Sequence, residues 1–195
     1  MATVILRPSS SISGGNFKDE SNTAGINVAK INDSDNSTYL YNSTSNQNMT
    51  LALDDTSGLS GATFNSFIVS ATFQKHGGRG ADATFDVDIG DSSSSTTFGS
   101  VSDLVFTTAL SSATTVNTNP INFGGSVSAS DVDDMRLSVT TTDGTQVRFF
   151  ELSVTISFEA AAAGYTHDVN GVAAASIGKV SSVATASIGK INSVD

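Results

Sequence analysis

The chain contains two histidines, His76 and His167, and no cysteine. A Ser-His-Asp triad would need one of these imidazoles held by a buried carboxylate beside a nucleophile on a strained elbow. His76 stands in Lys75-His76-Gly77-Gly78-Arg79-Gly80, a stretch whose glycines suit a tight connection, and His167 stands in a linker-like segment. Neither has a G-x-S-x-G motif nearby, and the glycine-rich stretch lacks the Gly-Lys-Ser/Thr ending of a phosphate-binding loop. No catalytic residue is assigned, no enzyme activity is expected, and no cofactor is called for. Without thiols the chain forms no disulfide and no thiolate metal site. Oxygen ligands are more plentiful. In Asp33-Ser34-Asp35-Asn36 the residues Asp33 and Asp35 are candidate Ca²⁺ ligands, although the segment lacks the sixth-position Gly and twelfth-position Glu of an EF-hand. Asx-turn geometry would select the same residues. Asp131, Asp133 and Asp134 are expected to open a short turn before a strand at Met135. Tyr39 and Tyr41 are the only neighbouring tyrosines; alternation puts both on one face, expected to be core, with an exposed aromatic patch as the alternative.

The elements that must position these residues read as strands. Apolar and polar residues alternate in Thr3 to Arg7, Thr38 to Tyr41, Met49 to Leu53, Thr63 to Lys75, Ala83 to Ile89 and Met135 to Val139. Val101 to Leu110 and Thr114 to Asn117 supply weaker strands. Gln146 to Phe158 is the longest run, and its parity changes: Val147 and Phe149 share one face, while Phe150, Leu152, Val154, Ile156 and Phe158 share the other. A bulge near Phe149 follows. Hairpins are expected across Lys75 to Gly80 and across Asp143-Gly144. Period-two runs with no helical period predict an all-β fold, an antiparallel β-sandwich. A jelly roll is the first expectation and an immunoglobulin-like sandwich the second.

Charge narrows the partners. The formal net charge is −10, so phosphate backbones and anionic membrane surfaces are repelled, and no apolar run reaches the roughly 20 residues a spanning helix needs. Neither nucleic acid nor membrane is an expected partner. The apolar run at the N-terminus is too short for a secretory h-region. Together with the Ser/Thr/Asn/Gly-rich composition this suits a virion-surface protein synthesised in a host cytoplasm.

Three segments follow from the change of character after Glu159: a sandwich domain over 1–158, a linker over 159–168, and a C-terminal arm over 169–195. The arm repeats with a period of eleven residues, Ala-Ser-Ile-Gly-Lys recurring verbatim at Ala175–Lys179 and Ala186–Lys190. A right-handed hendecad coil has this period. The Gly, Ser and β-branched residues of each repeat favour instead an extended arm with turns at the glycines. Its larger apolar residues, Val169, Val172, Ile177, Val180, Val183, Ile188, Ile191 and Val194, are the candidate partner-binding residues. They are too few to offset the entropy of ordering the arm alone, so ordering is expected on a neighbouring subunit.

The opening Ala2-Thr3-Val4-Ile5-Leu6-Arg7-Pro8, the segment Asn32 to Tyr39, the strand Glu151 to Ile156 and the C-terminal repeats together resemble jelly-roll virion structural proteins of tailed bacteriophages. That resemblance implies a structural component of a phage particle, first a capsid decoration or cement protein attached to neighbouring subunits. Its partners would be the major capsid protein or tail proteins, with homo-oligomerisation. The alternative is a tail- or fibre-associated receptor-binding module that holds a host surface glycan.

Overall fold

The computed structural model describes residues 1–42, 46–56, 58–77, 83–91, 97–106, 112–123, 125–142, 146–161, 179–180 and 183–184. They fall in two compact units, Met1–Glu159 and Ala160–Asp195. Among the described residues the first unit contains twelve strands: β1 (Ala2–Leu6), β2 (Pro8–Gly14), β3 (Phe17–Asp19), β4 (Leu40–Asn42), β5 (Asn48–Leu53), β6 (Thr63–Gly77), β7 (Ala83–Asp91), β8 (Thr97–Phe106), β9 (Thr114–Asn117), β10 (Ile121–Asn122), β11 (Met135–Thr142) and β12 (Gln146–Glu159). A 3₁₀ turn, Val28–Lys30, and one short helix, α1 (Ala129–Asp133), interrupt them.

The strands form two antiparallel sheets. Sheet A runs β10-β6-β12-β4-β3, with β9 also on β6 and β1 also on β12, and sheet B runs β2-β5-β11-β7-β8. Counting from β4, with β9 and β10 taken as one broken strand, the order is 1-8-3-6 in sheet A and 2-7-4-5 in sheet B. That is jelly-roll order, reached here from strand pairing alone. Two expected hairpins are corrected by it. β6 lies in sheet A and β7 in sheet B, and likewise β11 lies in B and β12 in A, so neither pair is hydrogen-bonded together. Glycine marks where a chain reverses, but all four strands are apolar on their inward face, and reversal across the core satisfies that as well as reversal within a sheet. His76 accordingly falls inside β6 rather than in a loop, and His167 lies outside the described residues.

Alternation selects the core. Phe67, Val69, Ala71 and Phe73 of β6 face Phe85, Val87 and Ile89 of β7, and Met49, Leu51 and Leu53 of β5, Met135, Leu137 and Val139 of β11 and Leu152, Val154 and Ile156 of β12 are buried with them. The ring of Phe85 meets Phe73 and Phe149 edge-on, each at 5.5 Å. β12 shows the expected bulge: Phe149 is opposite Phe73 and Glu151 opposite Thr72, leaving Phe150 as the extra residue.

The second edge of β12 is covered in turn by separate pieces. β1 pairs with it from Phe158 to Val154, the Ile31 carbonyl takes the Leu152 N–H (3.0 Å), and β4 pairs at Phe149 and Arg148. The Asn42 side chain then accepts the Val147 N–H at 2.5 Å. Backbone groups along this edge are thus bonded by several short pieces in succession, as burial demands.

In the second unit, β13 (Lys179–Val180) and β14 (Val183–Ala184) pair antiparallel, Lys179 opposite Ala184 and Val180 opposite Val183. Of the candidate arm residues, Val169, Val172, Ile177, Ile188, Ile191 and Val194 lie outside the described residues.

Candidate functional site

An aromatic face on the outside of sheet A is where the structure gathers unusual chemistry. At the start of β4, Leu40 is fully buried while Tyr41 after it and Tyr39 just before the strand remain half-buried, so the two tyrosines point away from the core. This settles their common face in favour of the patch over the core. The bulge makes the site. By inserting one residue it turns Phe150 outward beneath Tyr39, ring centroids 5.6 Å apart at 65°, and Phe150 stays buried without joining the core cluster. Tyr39 and Tyr41 tilt together at 6.2 Å, and the Arg148 guanidinium lies 4.7 Å above the Tyr39 ring. A cation in that position is attracted by the ring's quadrupole.

Strand register extends the patch sideways. Lys18 of β3 is opposite Tyr41, Tyr41 is opposite Arg148, and Arg148 is opposite Gln74 of β6. The Tyr41 hydroxyl and the Lys18 ammonium both donate to Asn22 Oδ1, each at 2.9 Å. Asn22 sits in the left-handed region (φ 64°), which asparagine tolerates, and the tight turn it makes brings its amide back over β4. A row of phenol, guanidinium, ammonium and amides on a fixed sheet offers apolar faces with polar groups at their edges.

Below Tyr39, Lys30 donates to Glu20 in a short ion pair. Lys30 is the first cause holding the Glu20 carboxyl below its usual value, against the cost of burial, and the Glu20 and Tyr39 backbone amides add to it. Lys30 is raised in return, first by Glu20. The loop leading into Tyr39 contains the candidate calcium ligands. Asp33 Oδ1 accepts the Asp35 N–H (2.9 Å), Asp33 Oδ2 the Thr38 hydroxyl (2.6 Å), and Asp35 the Ser37 N–H and hydroxyl (both 2.8 Å). The Ser37 amide and then its hydroxyl hold Asp35 below the usual carboxylate range. These are Asx-turn bonds, and they deliver Tyr39 to the sheet. Among the described residues no three His, Asp or Glu side chains converge as a metal site.

The remaining acids are placed elsewhere. Asp86 and Asp88 stand on the outer face of sheet B, where burial and then Asp86 push the Asp88 carboxyl up. Asp131 closes a capping box with Ser128 at the start of α1, where a simple turn was expected, and Asp133 Oδ1 accepts the Thr56 N–H and hydroxyl, both at 2.7 Å. Sequence reasoning found the tyrosine pair but not Phe150, Arg148, Lys18 or Asn22, which only the bulge and the strand register bring beside it.

No protein-family model and no curated protein matches the chain. Among solved structures it is similar to the C-terminal CBM6 of LamC, a marine laminarinase from Zobellia galactanivorans (12% identity, 80% of this chain and 99% of that one, TM-score 0.44). It is also similar to the C-terminal family 22 carbohydrate-binding module of a Clostridium thermocellum protein (16% identity, 79% and 94%, TM-score 0.35). A third similarity is to infectious bursal disease virus, Gt strain (8% identity, 80% and 32%, TM-score 0.27).

Proposed function

We propose that the jelly roll is a non-enzymatic carbohydrate-recognition module that holds a glycan on the outer face of sheet A. The carrying observation is the cluster of Tyr39, Tyr41, Phe150 and Arg148, a solvent-side group of rings on rigid strands. A sugar ring has an apolar C–H face and a hydroxyl rim. The exposed part of Tyr41 suits the first, and Arg148, Lys18 and Asn22 suit the second. The test is a glycan array of host-surface and cell-wall saccharides, probed with the unaltered chain and with Tyr41→Ala. Binding that falls at least tenfold in the variant is expected; a blank array, or binding unmoved by Tyr41→Ala, overturns the reading.

A second reading is supported by the verbatim Ala-Ser-Ile-Gly-Lys repeat and by the β13–β14 pairing inside it. In it the chain is a subunit on a virion surface, attached to capsid or tail proteins through the repeats, and the sandwich is the part displayed. The two readings are compatible, since a receptor-binding module on a particle needs both a glycan face and an anchor.

A further inference from the structure

We infer that the sandwich carries a second saccharide subsite, an open cleft of about 610 Å³ lined by Thr63, Phe64, Phe123, Gly125 and Ser126 with the neighbouring Ala62 and Val127. The inference rests on the carbohydrate reading above and extends it to a place that reading does not use. Phe123 is anchored from behind by Phe67 (5.2 Å, tilted) and Phe98 (6.3 Å, edge-on), yet it is itself only half-buried. Its ring is therefore a fixed apolar wall. Exposed Thr63 and Ser126 place hydroxyls at the rim, and Gly125 leaves its backbone uncovered. A volume in the ordinary range of small-molecule sites, one aromatic wall and a few hydroxyls suit a single pyranose ring better than a charged or wholly apolar ligand.

The two places lie far apart. Arg148 is opposite Gln74 and Phe158 opposite Phe64, so ten residues of β6 separate the rows, roughly 33 Å at 3.3 Å per residue. One sugar ring cannot touch both, whereas a polysaccharide chain can. Bivalent attachment of that kind strengthens binding to the polymer far beyond either site alone.

Amide NMR of the full chain titrated with glucose, galactose, mannose and N-acetylglucosamine tests the inference. Shifts at Gly125 and Ser126 are expected, with an affinity independent of those at Tyr41 and Arg148, and they persist in Tyr41→Ala. Gly125→Trp places an indole on the cleft's lining: a Cβ there meets nothing within 4 Å and so makes no clash, and a melting temperature unchanged from the parent checks that the fold accepts the ring. This variant should lose the Gly125-side shifts alone and bind parent polymers, a glucan, a galactan and a mannan, at least tenfold more weakly. Shifts confined to Tyr41 and Arg148, with polymer binding untouched by Gly125→Trp, overturn the second subsite and leave the carbohydrate reading standing. Shifts at neither place remove both.

Discussion

Asn42 leaves solvent completely, and its amide joins the sheets: Nδ2 donates to Thr141 Oγ1 of β11 at 3.3 Å while Oδ1 accepts Val147 N–H of β12. Thr141 is equally buried and exchanges bonds with both backbone groups of Gln47. Asn42→Leu would strand the amide of Val147, at a cost of about 1–3 kcal/mol. Urea denaturation should show that loss, and Asn42→Leu with Thr141→Val should cost less than the two single changes added, because they share one bond. Strict additivity would show that the pair is not coupled. Ionisation acts at the same scale. Glu20, Asp35 and Asp131 are all held below their usual values, so their contributions are complete above the ordinary carboxylate range and drain away as pH falls through the lowered values. Lys30 is raised, and its contribution is complete below the usual lysine value and is lost as pH climbs through the raised one. Lys30→Met should lower the melting temperature near neutrality and match the parent in strong acid, where Glu20 is protonated and the pair no longer exists. Asp88 has the opposite sign, its carboxyl raised by burial, so Asp88→Asn should raise the melting temperature near neutral pH, the gain fading on acidification.

At the scale of elements, α1 depends on its cap. Ser128 Oγ accepts the Asp131 N–H, and the Asp131 carboxylate accepts the Ser128 N–H at 2.8 Å. Ser128→Ala should cost about 1 kcal/mol, read as a fall of roughly 2–4 °C in melting temperature. The strands themselves were largely legible in the sequence. Clean alternation in Thr63 to Lys75 and Met135 to Val139 is what a half-buried strand requires, and the change of parity at Phe149 and Phe150 gave away the bulge. β2 was not legible: its Ser-rich sequence has one large apolar residue after Pro8, Ile12, and two register shifts against β5 erase the period. β3 is too short to show one. Nor could alternation say which way Tyr39 and Tyr41 face, because Leu40 between them is as apolar and takes the inward face with Asn42.

For the whole molecule, alternation identifies a sandwich but not which turns cross it, since crossing and pairing both leave an apolar face inward. Strand order came only from the registers. The arm is a separate matter. Removing residues 165–195 leaves every strand described in Met1–Glu159 and should give a folded protein with an unchanged melting temperature. On the attachment reading it no longer enters particles or oligomers; normal incorporation of the truncated chain in a reconstitution assay would refute that role.

The covering of β12 has a consequence for how the protein is made. Its partners β1, Ile31, β4 and Asn42 all belong to the first 42 residues, and β6 on its other side also precedes it by many residues. A ribosome releases those partners long before the strand that joins them exists. Sheet A therefore has no centre until β12 has been made, and its closing contacts span more than a hundred residues, as between Arg7 and Glu151. Topologies of this kind fold in milliseconds to seconds rather than microseconds. Until then the unpaired edges of β1, β4 and β6 are open to other chains, and a chaperone that shields them would raise the yield of native protein.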